Sequence, residues 1–185
     1  MGNPYFCLSL QSLSMFDKPY SYQYKGYTKE SFFKIHRYTF KCRFRQTYII
    51  RVEEYEYQVF VLKFYLKNHA KSDKKYNLLT GWNDVGRVVA TNVEVMLDIY
   101  RKNELATFGF IGANTVTENQ QEAREATKRF RVYRIVMRSF FSPIRFAHFE
   151  YVKESAYLLL NKAHLAERDS LKADIEVLFK KYYFI

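Results

Sequence analysis

A chain of 185 residues, 48% hydrophobic with six glycines and three prolines, has the size and apolar content of one globular domain with a single core. Two cysteines, Cys7 and Cys42, exclude a disulfide framework, and no apolar run of about 18 residues exists to span a membrane. Thirty Lys and Arg against 19 Asp and Glu give a formal charge of +11, which points to an anionic partner: nucleic acid, a phosphorylated ligand or an acidic protein.

Taken in chain order, residues 1–37 mix Pro4, Pro19, Gly26 and many tyrosines without sustained period and read as an irregular, extended N-terminal segment. Its start, MGNPYFCLSLQSLSMFDK, lacks the basic n-region of a secretory signal, so a cytoplasmic protein is expected. From residue 38 to the end the pattern is that of an α/β core within the same domain. Tyr38, Phe40, Cys42 and Phe44 alternate with Thr39, Lys41 and Arg43, the mark of a half-buried strand with a basic outer face. Tyr48, Ile50 and Val52 continue into a second strand, and VEEYEY supplies a turn in which Glu53, Glu54 and Glu56 face solvent. VFVLKFYL, apolar on both faces, reads as a central strand covered on both sides.

A charged connection from Lys67 leads to Asn83 or Asp84, either of which can cap a helix. Val85, Val88, Val89, Asn92, Val93, Met96 and Ile99 form its stripe, with Thr91, Glu94 and Asp98 outside. Asn92 inside that stripe is marked for a hydrogen bond to neighbouring backbone. LATFGFIGA then reads as a buried strand in which Gly109 and Gly112 admit close approach of a backbone or ligand.

After the polar loop NTVTENQQEAREAT comes a helix, KRFRVYRIVMRSFF. At about 100° per residue its Phe130, Val132, Tyr133, Val136, Met137 and Phe140 share a broad apolar face, and Arg131, Arg134 and Arg138 form an opposite stripe. Lys128 and Arg129 stand at its start, where the helix dipole disfavours cations, so an anion nearby is expected. Arg129 projects onto the apolar face and needs a partner, the nearest acids being Glu118, Glu122 and Glu125. RFAHFEYV and SAYLLLNKAH read as two further strands, and Leu171, Ile175, Leu178, Phe179 and Tyr182 as the stripe of a C-terminal helix.

The expected fold is therefore α+β or α/β: a mixed, mainly antiparallel sheet flanked by three helices, at about 83–102, 124–141 and 169–183. No serine-hydrolase, zincin, P-loop or dinucleotide fingerprint occurs, and His36, His69, His148 and His164 are scattered, so no metal is implied. The leading expectation is a non-enzymatic or regulatory module that binds nucleic acid or another anionic partner through Lys128, Arg129, Arg131, Arg134 and Arg138. A protein-interaction role is the other non-catalytic reading, with the Tyr-rich N-terminal segment pairing with a partner or with a second copy in a homo-oligomer.

The order of elements, antiparallel strands, a central strand, a helix, a strand, a second helix and two strands, resembles the GNAT acetyltransferase plan over roughly Tyr38 to Asn161. The resemblance implies an acyl-CoA-dependent N-acyltransferase using acetyl-CoA. In that family a loop of the form [QR]xxGx[GA] after the central strand cradles the cofactor pyrophosphate. The corresponding stretch is TGWNDVGRVVA, which departs from that motif but offers Gly81, Gly86 and Arg87 as cofactor-binding candidates. The family's helix tyrosine, which protonates the departing thiolate, corresponds to Tyr133, although a long polar loop precedes it here. The YNLLTG, FGFIGA and KRFRVYR segments, in this order, also resemble an uncharacterised bacterial protein family that implies no activity.

Overall fold

The computed structural model describes residues 18–78, 84–117 and 120–183. Seven strands form one sheet in the order β1-β2-β3-β4-β5-β7-β6, mostly antiparallel, with helices packed on it. The strands are β1 (Tyr22–Lys29), β2 (Lys34–Lys41), β3 (Thr47–Tyr55), β4 (Val59–Leu66), β5 (Thr107–Ile111), β6 (Phe146–Tyr151) and β7 (Ala156–Asn161). The helices are α1 (Val85–Lys102), α2 (Lys128–Phe140), the short α3 (Lys162–Glu167) and α4 (Leu171–Tyr183).

The three long helices begin and end within a few residues of the expected ones, because their apolar stripes leave no other phase. Four local expectations are corrected. The first hairpin strand begins at Lys34 and stops at Lys41, because Cys42 and Gln46 close a turn with Arg45 at φ 57°, and Phe44 is left exposed. The N-terminal segment is partly regular, since β1 lies inside it, with a ladder irregularity at Gly26 (φ 89°). VEEYEY is not all turn: Glu53 and Glu54 remain in the ladder opposite Val61 and Phe60, and the chain reverses only at Glu56–Gln58. Thr91, expected outside the α1 stripe, is fully buried because its hydroxyl accepts the Tyr20 amide (2.9 Å) and donates to the Arg87 carbonyl (2.7 Å).

Only the β4/β5 pair is parallel, and α1 makes its crossover. α2 then carries the chain from β5 past β7 to β6 in the same direction across the sheet. Right-handed crossovers taken in one direction deposit both helices on one face. The core divides accordingly. Phe60, Leu62 and Phe108 pack with α1 and α2 on one side, while Val59, Val61 and Leu158 pack with α4 on the other. β4 is thus covered twice, as its uninterrupted apolar run requires.

The glycines of β5 set how closely the helices dock. A Cβ on Gly109 would lie 2.3 Å from the Phe179 ring, and one on Gly112 would lie 2.7 Å from the Phe130 amide nitrogen and from Thr127 Oγ1. The close approach expected at these glycines is made by α4 and by the first turn of α2.

Candidate functional site

β4 and β5 are joined by only three ladder pairs, Val59 with Thr107, Phe60 with Phe108 and Val61 with Gly109. Beyond them β4 runs on to Leu66 with no further β5 partner, while β5 stays paired to β7 as far as Ile111. The two parallel strands therefore part in mid-sheet. Tyr133 of α2 stands between them, its ring 6.4 Å from Phe64 of β4 and 5.4 Å from Phe110 of β5.

A cavity of about 230 Å³ opens on the α1 and α2 side of this gap. Phe64, Leu66, Val88 and Val132 give it apolar walls, and His69, Lys75, Lys128 and Arg129 line it with nitrogen. None of these four side chains lies within salt-bridge distance of a carboxylate among the described residues. Asp84, the one acid on the wall, is already engaged: it accepts from the Tyr20 hydroxyl at 2.8 Å and faces Arg43 at 3.5 Å. A small cavity with cations, apolar walls and no available acid among the described residues is suited to an anionic amphiphile.

The first turns of α1 and α2 both border the cavity and differ in how their amides are satisfied. In α2 the Thr127 hydroxyl accepts the Phe130 amide at 3.2 Å, and Glu122 accepts the Lys128 amide at 2.7 Å. The anion expected at this end is thus the protein's own Glu122. In α1 the N-cap is Asp84, but its carboxylate turns to Tyr20, so among the described residues no side chain caps the helix, and its first turn carries no acid. Among the described residues no side chain takes up the first amides of α1, and the positive end of an 18-residue helix lies behind them.

Two buried hydroxyls complete the site. Thr115 Oγ1, on the cavity wall, has no hydrogen-bond partner among the described residues. Tyr133 is 8% exposed, and its hydroxyl makes no protein hydrogen bond there either. Burial pushes that phenol up to about 12 against the lowering influence of Arg129, so it holds its proton throughout the neutral range. Arg129 finds a carbonyl where an acid was expected: its guanidinium donates to Leu78 O at 3.0 Å, and Glu118 lies outside the described residues. Asn92 behaves as expected, donating to Val88 O at 2.8 Å.

The guanidinium stripe is otherwise placed. Arg138 donates to Glu150 at 2.7 and 3.1 Å, Arg134 lies 3.6 Å from the same carboxylate, and Arg131 caps the Ala126 carbonyl at 3.0 Å. The strand β6 supplies Glu150 from across the helix, a partner that helix projection alone does not reveal. Of the cofactor candidates, Gly81 lies outside the described residues and Gly86 is the second residue of α1. Arg87 turns away from the cavity, stacking 3.8 Å over the Tyr20 ring and donating to Lys18 O.

Sequence reasoning missed a buried cluster on the α4 side. Glu53, 3% exposed, meets Lys63 at 2.8 Å and Arg51 at 3.0 Å, and accepts from the hydroxyls of Tyr55 (3.1 Å) and Tyr183. Burial alone would raise its carboxyl, but Lys63, Tyr183 and Arg51 together hold it below its ordinary value. The available signal was Lys63 inside an otherwise apolar run, a half-buried cation in need of a carboxylate one strand away. No family model, no curated protein and no solved structure matches the chain.

Proposed function

We propose that this protein is an acyl-CoA-dependent N-acyltransferase built on the GNAT plan, with the cofactor entering where β4 and β5 part. The observation that carries the reading is this parting, with the unpartnered Tyr133 hydroxyl standing in it. The α1 terminus, which Asp84 leaves uncapped, suits phosphates together with Lys75, Lys128 and Arg129, and the apolar wall suits a pantetheine arm and thioester. Tyr133, protonated at neutral pH, is the general acid for the leaving thiolate. Among the described parts of the former cofactor candidates, the backbone at Gly86 fits this role, and Arg87 instead braces the N-terminal segment.

Titration calorimetry with acetyl-CoA tests binding, and absence of heat at millimolar cofactor rejects the reading. Tyr133→Phe should keep the binding and lower kcat by roughly 10²–10⁴-fold, the usual contribution of a positioned acid. Because burial holds the phenol at about 12, wild-type kcat should show no alkaline fall from this group between about pH 7 and 10.

The second reading, an anionic macromolecule on α2, draws on the formal charge of +11 and on Lys128 and Arg131, which form no ion pair among the described residues. It requires DNA or RNA binding that weakens steeply with salt. Arg134 and Arg138 are less suited to this role, because Glu150 already holds them.

A further inference from the structure

A second cavity, of about 250 Å³, lies in the gap between the parted strands, and it shares Phe64, Arg129 and Tyr133 with the first. Its remaining wall is Leu62, Lys63, Tyr76, Asn77, Ile111, Ala113 and Tyr183. From this juxtaposition we infer that the second cavity is the acyl-acceptor site and takes a free amino acid, a small amine carrying its own carboxylate, with an apolar or aromatic side chain. The inference rests on the acyltransferase reading and names its substrate class.

The argument is one of charge and shape. Lys63 and Arg129 are the charged groups of the wall, and no carboxylate lines it. Glu53, which pairs with Lys63 of the wall, is also engaged by Arg51, Tyr55 and Tyr183. Around Glu53 and the cavity three cations thus face a single carboxylate, a surplus that repels polyamines and lysine-rich tails and favours an anionic group beside the amine. The Asn77 side-chain nitrogen already donates to Asn114 at 2.8 and 3.0 Å, so it adds no donor for a carboxylate. The Tyr76, Phe64 and Tyr183 rings form the apolar part, and Lys63 sits 4.5 Å over the Tyr183 ring and 5.9 Å from that of Tyr76. A carboxylate held by Lys63 and Arg129 leaves the α-amine beside Tyr133, where the two cavities meet.

The step balances without a further reactant. The neutral amine attacks the thioester carbonyl, the C–N bond forms as the C–S bond breaks, and the departing sulfur takes the Tyr133 proton. The proton shed by nitrogen restores the Tyr133 hydroxyl through solvent, leaving an N-acyl amino acid and free thiol.

Matched pairs that differ only in the carboxylate provide the test: phenylalanine with phenethylamine, and leucine with isoamylamine, with spermidine as the polycation. Thiol release from acetyl-CoA should run with kcat/KM about ten- to a hundredfold higher for each amino acid than for its decarboxylated partner, the worth of one charged hydrogen bond. Lys63→Met should bring that ratio to about one by raising KM for the amino acid. Since Lys63→Met leaves Glu53 with one cation fewer, thermal shift of the wild-type chain by phenylalanine against phenethylamine gives a readout that needs neither variant nor turnover. Equal response to both members of a pair, preference for spermidine, or acetyl-CoA binding with no amino acid accepted would overturn the assignment and leave the cofactor reading standing. Failure to bind acetyl-CoA removes that reading instead, and a carboxylate-dependent thermal shift would then still support the cavity's ligand class.

Discussion

Glu53 and Glu150 each gather two cations, yet they sit in different physical worlds. Glu53, on β3, is 3% exposed, with Lys63, Arg51 and two tyrosine hydroxyls around it. Glu150, on β6, has a side chain 19% exposed and holds Arg138 and Arg134, which are themselves 64% and 46% exposed. Water screens the second group and competes for its hydrogen bonds. In the first, every charge depends on the others. The number of partners is therefore a poor guide to what a carboxylate contributes, and burial is the better one.

The largest effect should follow from Glu53→Ala, which leaves Lys63 and Arg51 facing each other in a half-closed pocket. A loss of about 3–5 kcal/mol is expected, measured by urea unfolding followed by far-UV circular dichroism. A loss below about 1 kcal/mol would show that water reaches the cluster and would erase its distinction from Glu150. Next in size is the paired change Glu53→Met with Lys63→Met, which removes both charges and keeps the volume apolar. It should recover part of that loss, because one of the two stranded cations is gone and only Arg51 still lacks its carboxylate.

Acid titration sharpens the same comparison. The folded-state carboxyl of Glu53 lies below its ordinary value of 4.5, so its stabilisation is fully present above that pH and is lost as pH falls through the folded value. Wild type should therefore lose stability more steeply than Glu53→Gln below about pH 4.5, with the two unfolding midpoints converging in strong acid. Parallel curves would mean that Glu53 carries no linked proton.

The two carboxylates were also unequally legible in the sequence. Periodicity located the long helices and the doubly covered strand β4, because an apolar stripe or run admits one burial. The parting of β4 from β5 left no trace in composition, since it depends on where a ladder ends. Glu53 was misplaced because three glutamates in six residues resemble a solvated turn, and only the Lys63 across the ladder gives one of them a reason to go inside. Glu150 was passed over because its partners lie on α2, and helix projection shows which side chains share a face without showing which strand comes to meet it. Tyr133 was legible from both its phase and its resemblance, and its missing hydrogen bond required coordinates.

Glu150→Gln is expected to give the smallest change in stability, under about 1 kcal/mol and shrinking further as salt is raised, because its arginines can return to water at little cost. Its consequence for surface charge is larger than its consequence for the fold. With the carboxylate gone, Arg134 and Arg138 join Arg131 as an uncompensated row on the α2 surface. If α2 is a nucleic-acid surface held back by Glu150, the variant should bind duplex DNA more tightly and with a steeper dependence on salt concentration than wild type, by fluorescence anisotropy. If the arginines serve to clamp α2 against β6, affinity stays where it was and only local amide exchange at Ser139 to Phe141 quickens. The second outcome would leave the α2 arginines with a structural role and remove the nucleic-acid reading of that surface.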